Sequence, residues 1–200
     1  MKKAEIILAV LTLVGILLSV LHIPGGNILA VLTMTILSMV YFCLSFALLN
    51  GLGFRDMIKN DNYKEISALR MVGAVLSGIV FSTAIIGILF RWMMWPGAGA
   101  MLLVSIPGFL IMLIIVLIKY FTKKELFYRN MLIRIVIIGI PLLVLFDNSS
   151  LVRNIRYSDN PELLRAIEEA EQNPEDESLW RKVDSIKGVR DRTYQENREE

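Results

Sequence analysis

One histidine, one cysteine and a few cations are all that the apolar stretches of this sequence offer to chemistry. Cys43 is the single cysteine and His22 the single histidine. A lone cysteine closes no intramolecular disulfide, and with one histidine the common zinc-ligand spacings cannot be built. His22 is the residue type that titrates near neutrality and could sense pH; a polar cap at a helix end is the simpler reading. Arg91, with Trp92 and Trp95 beside it, could hold an anionic lipid. Aromatic rings and a cation at one level also serve as an ordinary interfacial anchor. Arg134 is the intramembrane candidate, because ionisable groups in lipid are often functional. Its place near the end of an apolar run favours a snorkelling anchor. Lys119, Lys123, Lys124 and Arg129 could contact anionic headgroups, and topology determination explains them equally well. No nucleophile beside a base, no intramembrane pair of carboxylates, no glycine-rich phosphate loop and no metal motif is found. The expectation is a non-enzymatic protein with no cofactor and no metal. The basic loops lack the density and aromatic interleaving of a nucleic-acid binder.

These residues are set among long apolar runs. Of 200 residues, 55% are hydrophobic. The first 150 residues carry 12 Lys/Arg and 6 Asp/Glu, whereas 151–200 carry 9 and 13. One chain therefore addresses two solvents. A helix needs about 20 mainly apolar residues to cross the hydrocarbon core, and five segments come close: 5–21, 27–49, 66–90, 97–118 and 131–146. The fifth is the shortest and contains Arg134 and Pro141. Helices are required because lipid offers no partner to free backbone groups, and no strand-like alternation suited to a membrane barrel occurs. No acidic residue is expected inside the spans. The basic start, Met1-Lys2-Lys3, leads into an apolar run without a small-x-small cleavage pattern, and reads as an uncleaved first helix.

Tight turns at 23–26 and 92–96 alternate with polar, basic loops at 51–65 and 120–130. The positive-inside rule then places the N-terminus in the cytoplasm, with ten Lys/Arg on that side. If the fifth segment spans, the C-terminal tail lies outside. On the third helix Ala74, Gly78 and Ser82 form a small-residue packing face, within the chain or between subunits. Past Asp147, Asn160-Pro161 is a helix start with Pro in the first turn, and Asn173-Pro174-Glu175-Asp176 repeats the signal. Leu179, Trp180, Val183 and Ile186 follow at helical spacing toward Gly188. So small a tail carries few apolar groups for a core and is expected to be mobile or held against a partner or the membrane part; Leu179, Trp180 and Val183 are the expected partner face, and the last ten residues are expected to be disordered.

The membrane part contains a repeat at an offset of 72 residues. Gly15, Ile16, Leu17, Pro24 and Gly25 align without a gap on Gly87, Ile88, Leu89, Pro96 and Gly97. Pro at a helix start loses no hydrogen bond, and Gly beside it lets the chain reverse sharply. Each copy is an out-and-back hairpin, and the two share one orientation.

The turns resemble the Lys-x-x-x-His-x-Pro-Gly-Ala pattern of the first membrane hairpin in GldL-type proteins of the gliding-motility and type IX secretion apparatus. The first copy keeps His22, Pro24 and Gly25. The second keeps Arg91, Trp95, Pro96, Gly97 and Ala98, with Met94 where the histidine belongs. The resemblance covers about 25 residues per hairpin. It implies a component of a cell-envelope assembly. The motor role of stator members is not carried over, because it calls for an intramembrane acid.

The reading is an all-α, polytopic membrane helix bundle of about five transmembrane helices with two duplicated hairpins (1–148), followed by a small, charged, helical C-terminal tail (149–200). The expected role is scaffold or accessory component in the bacterial inner membrane. The expected partners are the lipid bilayer, envelope proteins and further copies of the chain, with no nucleic acid. A small oligomeric transporter or channel is the alternative, since Pro107 and Pro141 inside helices would suit broken-helix sites.

Overall fold

The computed structural model describes residues 2–51, 68–95, 97–173 and 175–196 (side chains of 68–69, 149 and 190–196 apart), and among them every regular element is an α-helix. In chain order these are α1 (Lys2–Val20), α2 (Gly26–Asn50), α3 (Ala68–Trp92), α4 (Ala98–Lys123), α5 (Leu126–Asp147), α6 (Ser149–Arg156), α7 (Pro161–Gln172) and α8 (Glu177–Glu196). The first five are long and apolar enough to cross a membrane, so the chain is a multi-pass membrane protein by helix length and composition. The chain divides into two compact units that meet at Ser149 and Ser150.

α5 begins at Leu126, earlier than the apolar run alone suggests, and its 22 residues rise about 33 Å, enough for a bilayer core. The extension puts Arg134 more than two turns inside the helix. α4 and α5 also run continuously through Pro107 and Pro141, so neither proline makes the discontinuous helix that a broken-helix site requires.

In the membrane unit α2 and α3 are central. α2 packs on α1 and α3; α3 also packs on α4 and α5. Lipid tails are as apolar as leucine, so association rests on close packing and interhelical hydrogen bonds. Both are present. Ala74, Gly78 and Ser82 are buried, and Gly78 lies where a Cβ would strike the Ser45 side chain and come within 2.5 Å of the Tyr41 carbonyl oxygen. The small-residue face is therefore an internal α2–α3 seam, joined by Ser38 donating to the Ser82 carbonyl at 3.2 Å. An aromatic row crosses the bundle: Tyr41 and Phe81 have ring centroids 5.2 Å apart, and Phe81 meets Phe109 edge-on at 5.8 Å. Phe109 reaches α5 at Gly139, where a Cβ would lie 2.8 Å from its ring.

The two hairpin turns share three successive backbone hydrogen bonds. Leu21, His22 and Ile23 donate their N–H groups to Leu17, Ser19 and Leu18 at 3.0, 3.2 and 2.9 Å; 72 residues on, Met93, Met94 and Trp95 donate to Leu89, Arg91 and Phe90 at 2.9, 3.1 and 2.9 Å. His22 and Met94 share a left-handed φ of 56° and 55°, and Gly25 and Gly97 follow at 91° and 85°. Upstream, a Cβ on Gly15 would lie 2.7 Å from the Ala30 backbone nitrogen, and one on Gly87 would lie 3.0 Å from the Leu102 side chain. Ala30 and Leu102 are themselves 72 residues apart.

The second unit builds a core of its own. Tyr157, Leu163, Ala166, Ile167, Ala170 and Val183 are buried together, with Leu164, Leu179 and Ile186 packed against them. Asn160 caps α7 by accepting from the Leu163 N–H at 2.9 Å, with Pro161 in the first turn. Arg153 on α6 pairs with Glu171 and, at 3.5 Å, with Glu168 on α7. α8 passes Gly188 and continues to Glu196, further than the hydrophobic spacing implies. The expectation of terminal disorder falls partly on 197–200, outside the described residues.

Candidate functional site

One set of the polar groups buried in the membrane unit, among them Thr12, Ser19, Thr33 and Arg134, gathers along α1. Its buried residues are Thr12, Gly15 and Ser19: the face turned inward is small and polar, while Ile6, Leu13 and Leu17 are mostly exposed on the other. This is the inverse of a water-soluble helix, because the surrounding solvent is apolar. Glu5, Thr12 and Ser19 recur every seven residues, which keeps them on one side of the helix. Each meets a polar group on antiparallel α2. Ser19 donates to Asn27 at 2.6 Å and Thr12 to Thr33 at 2.9 Å. At the far end the Tyr41 hydroxyl donates to the Glu5 carboxylate.

Glu5 is also the hinge to α5. Arg134 donates Nε to Glu5 Oε1 at 2.6 Å and Nη2 to Oε2 at 2.5 Å, and turns Nη1 toward the Asn130 carbonyl at 3.3 Å. This is the fork-on-fork geometry of a planar guanidinium on a carboxylate. The two side chains retain 10% and 13% of their accessible surface. Removing two charges from water is costly, and only good geometry with further hydrogen bonds offsets it; Tyr41 and the Asn130 carbonyl supply those bonds.

Two expectations are corrected here. An acid does lie inside a span: Glu5 is in the first turn of α1. Arg134 is not a snorkelling lipid contact. It is buried and turned inward, because the longer α5 sets it opposite Glu5, 129 residues away in the chain.

The cluster sits on the wall of a groove of about 250 Å³ between α1 and α5, floored by Leu37 and Tyr41 of α2. The other candidates are scattered. His22 is half-buried in the first turn, and Pro24 and Gly25 are exposed beside it. At the second turn Arg91 is half-buried, Trp95 lies edge-on to Phe90 at 5.2 Å and is 41% exposed, and Gly97 has the left-handed φ. Pro96 lies outside the described residues. Lys119 is half-buried; Lys123, Lys124 and Arg129 are exposed around the α4–α5 turn. There Arg70 lies over the Phe127 ring at 4.3 Å and pairs with Glu125 at 3.6 Å, joining the start of α3 to that turn.

Comparison with known families, curated proteins and solved structures finds no match to this chain. What can be said of the site therefore rests on its geometry. Among the described residues no group of three or more His, Cys, Asp or Glu is placed to hold a metal.

The expected partner face of the tail is also corrected. Val183 is 1% exposed inside the tail's own core and Leu179 packs against that core, which leaves Trp180, 38% exposed, outermost of the three. The spacing marked the buried stripe of α8, and α7 is what covers it.

Proposed function

We propose that this chain is a non-enzymatic scaffold or accessory component of a cell-envelope assembly in the bacterial inner membrane, with its N-terminus and basic loops in the cytoplasm and its C-terminal unit outside. The observation that carries the reading is how the buried polar groups are used. Glu5, Arg134, Tyr41, Thr12, Thr33, Ser19, Asn27 and Ser38 are spent on ties between helices. Such ties suit a bundle that holds its shape and presents a folded, charged unit beyond its last span. The matched turns support the reading of the two hairpins as a duplication, and their residues support the resemblance to GldL-type hairpins. Glu5 removes the ground on which a motor role was set aside. Yet its carboxylate is neutralised by Arg134, so a motor role is still not carried over. The continuous α4 and α5 count against a transporter built on broken helices.

The test is co-purification from native membranes in mild detergent, comparing the full chain with one ending at Asn148. A defined set of envelope proteins retained by the full chain and lost with the C-terminal unit is the expected result. Isolation of both forms without companions would count against a scaffold.

A further inference from the structure

The groove between α1 and α5 has a polarity gradient along its length. The two helices run parallel: residues advance together along both, Glu5 meeting Arg134 and Ala9 lying with Ile137 and Ile138. Lys2 and Asn130 therefore line one end, the Glu5–Arg134 pair comes next, and Ile6, Ala9, Ile137 and Ile138 line the remainder. Helix rise places Ala9 about 10 Å further along α1 than Lys2. Lys2 marks the membrane surface: its Cε lies 4.0 Å from where a Cβ on Gly51 would be, at the end of α2. The rim is apolar, with Ile6 61% and Ile137 62% exposed. Charge at the surface, hydrogen-bonding groups below it and an apolar trough deeper in is the profile of a phospholipid.

We propose that this groove seats one phospholipid with an anionic headgroup, its phosphate at Lys2 and one acyl chain along Ile6, Ala9 and Ile137. Charge and depth decide the occupant: one cation at the surface end, then a trough lined by Ile6, Ala9, Ile137 and Ile138 running inward, match an anionic head with its acyl chain below it. Glu5 and Arg134 cancel, which leaves Lys2 as the net charge of the lining and selects an anionic head. The site is distinct from the basic turn at Lys123 and Lys124, and it does not depend on the scaffold reading.

The experiment is native mass spectrometry of the full chain in detergent, titrated with phosphatidylglycerol or with phosphatidylcholine of the same acyl chains. One phosphatidylglycerol per chain is expected to bind saturably and to survive gas-phase activation that strips phosphatidylcholine. Lys2→Gln should lower its retention about five-fold, the worth of one basic residue at an anionic lipid surface. Ala9→Phe, which fills the trough, should abolish it. Ile7→Phe is on the same helix but outside the groove lining, and should leave it unchanged. Three results would overturn the proposal: no saturable stoichiometry of one, retention that survives Ala9→Phe while Ile7→Phe behaves as wild type, or a lipid-free dimer.

Discussion

Arg134→Met removes the cation from a carboxylate that has little access to water. Glu5 keeps 13% of its side-chain surface, and two of the three hydrogen bonds it accepts come from Arg134. An unpaired charge, or a proton taken up to remove it, must then be accommodated against apolar helices. Breaking one side of such a pair costs about 3–5 kcal/mol, a large share of the roughly 5–15 kcal/mol that holds a domain folded. Tyr41→Phe deletes a single bond to the same carboxylate and should cost less, about 1.5 kcal/mol. The double variant Glu5→Leu/Arg134→Leu removes both charges and their desolvation together, so it should fall within about 1 kcal/mol of the wild type or exceed it. The assay is reversible unfolding in mixed dodecyl sulfate micelles, followed by tryptophan fluorescence. A double-mutant cycle closed with the single variants Glu5→Leu and Arg134→Leu should return a coupling of at least about 2 kcal/mol between positions 5 and 134. Costs that simply add, or an Arg134→Met variant within about 0.5 kcal/mol of wild type, would show that the pair is not what fastens α1, whatever its geometry.

Three further outcomes follow from the packing and the turns. Gly78→Ala should destabilise by about 1–3 kcal/mol, because its Cβ meets the Tyr41 carbonyl and the Ser45 side chain; Gly73→Ala, with nothing within 4 Å, should be neutral or slightly stabilising in the same unfolding assay. Gly25→Ala and Gly97→Ala both force an L residue into the left-handed region and should each cost about 1–2 kcal/mol; markedly unequal losses would argue against equivalent turns. At the start of α8, the Ser178 hydroxyl, and then its backbone N–H, hold the Asp176 carboxyl below its ordinary range. With the folded value below the unfolded one, this cap supports α8 above the unfolded carboxylate range and is lost as pH falls through the folded value. Ser178→Ala should move the carboxyl back toward the ordinary range in an NMR pH titration, and an unmoved titration would sink the assignment.

The helices were legible because hydrophobic length is a strong signal: a run of twenty apolar residues has few structures open to it in lipid. The turns were legible for a different reason. Pro24, Gly25 and Gly97 are residue types whose backbone preferences decide local geometry without help from distant contacts. The ionic cluster needed more. Arg134 looked terminal because apolar composition falls off at Asn130, yet α5 includes Tyr128, Arg129 and Asn130 and begins at Leu126. Glu5 opens the 5–21 run, and nothing local marks it as one half of an ion pair. Its partner 129 residues away is settled by helix arrangement alone, which no local pattern encodes. A usable signal did exist in the seven-residue recurrence of Glu5, Thr12 and Ser19, since polar residues on one stripe of a lipid-bound helix must face protein. The tail was misjudged by the opposite error. Leu179 and Val183 were read as an open stripe, when the matching stripe of Leu163 and Ile167 lay one helix upstream.

The two hairpins share their turns but not their fastenings, and the difference follows from position. At the offset of 72, Ser77 stands where Glu5 is, Ala84 where Thr12 is and Leu113 where Tyr41 is. Ser77 spends its hydroxyl on the Gly73 carbonyl of its own helix at 2.7 Å. α3 depends less on polar ties because it is central, packed against α2, α4 and α5, whereas α1 is mostly exposed. α1 has α2 as its one extensive packing neighbour. With no hydrophobic force to press a peripheral helix onto the bundle, interhelical hydrogen bonds of roughly 0.6–2 kcal/mol each must do so, and three rungs along α1 are few enough that each matters. The strongest rung is the one that reaches past α2 to α5, and it stands at the mouth of the groove that α1 and α5 leave between them. Losing Glu5 would therefore release α1 from two helices at once, from Tyr41 of α2 and from Arg134 of α5.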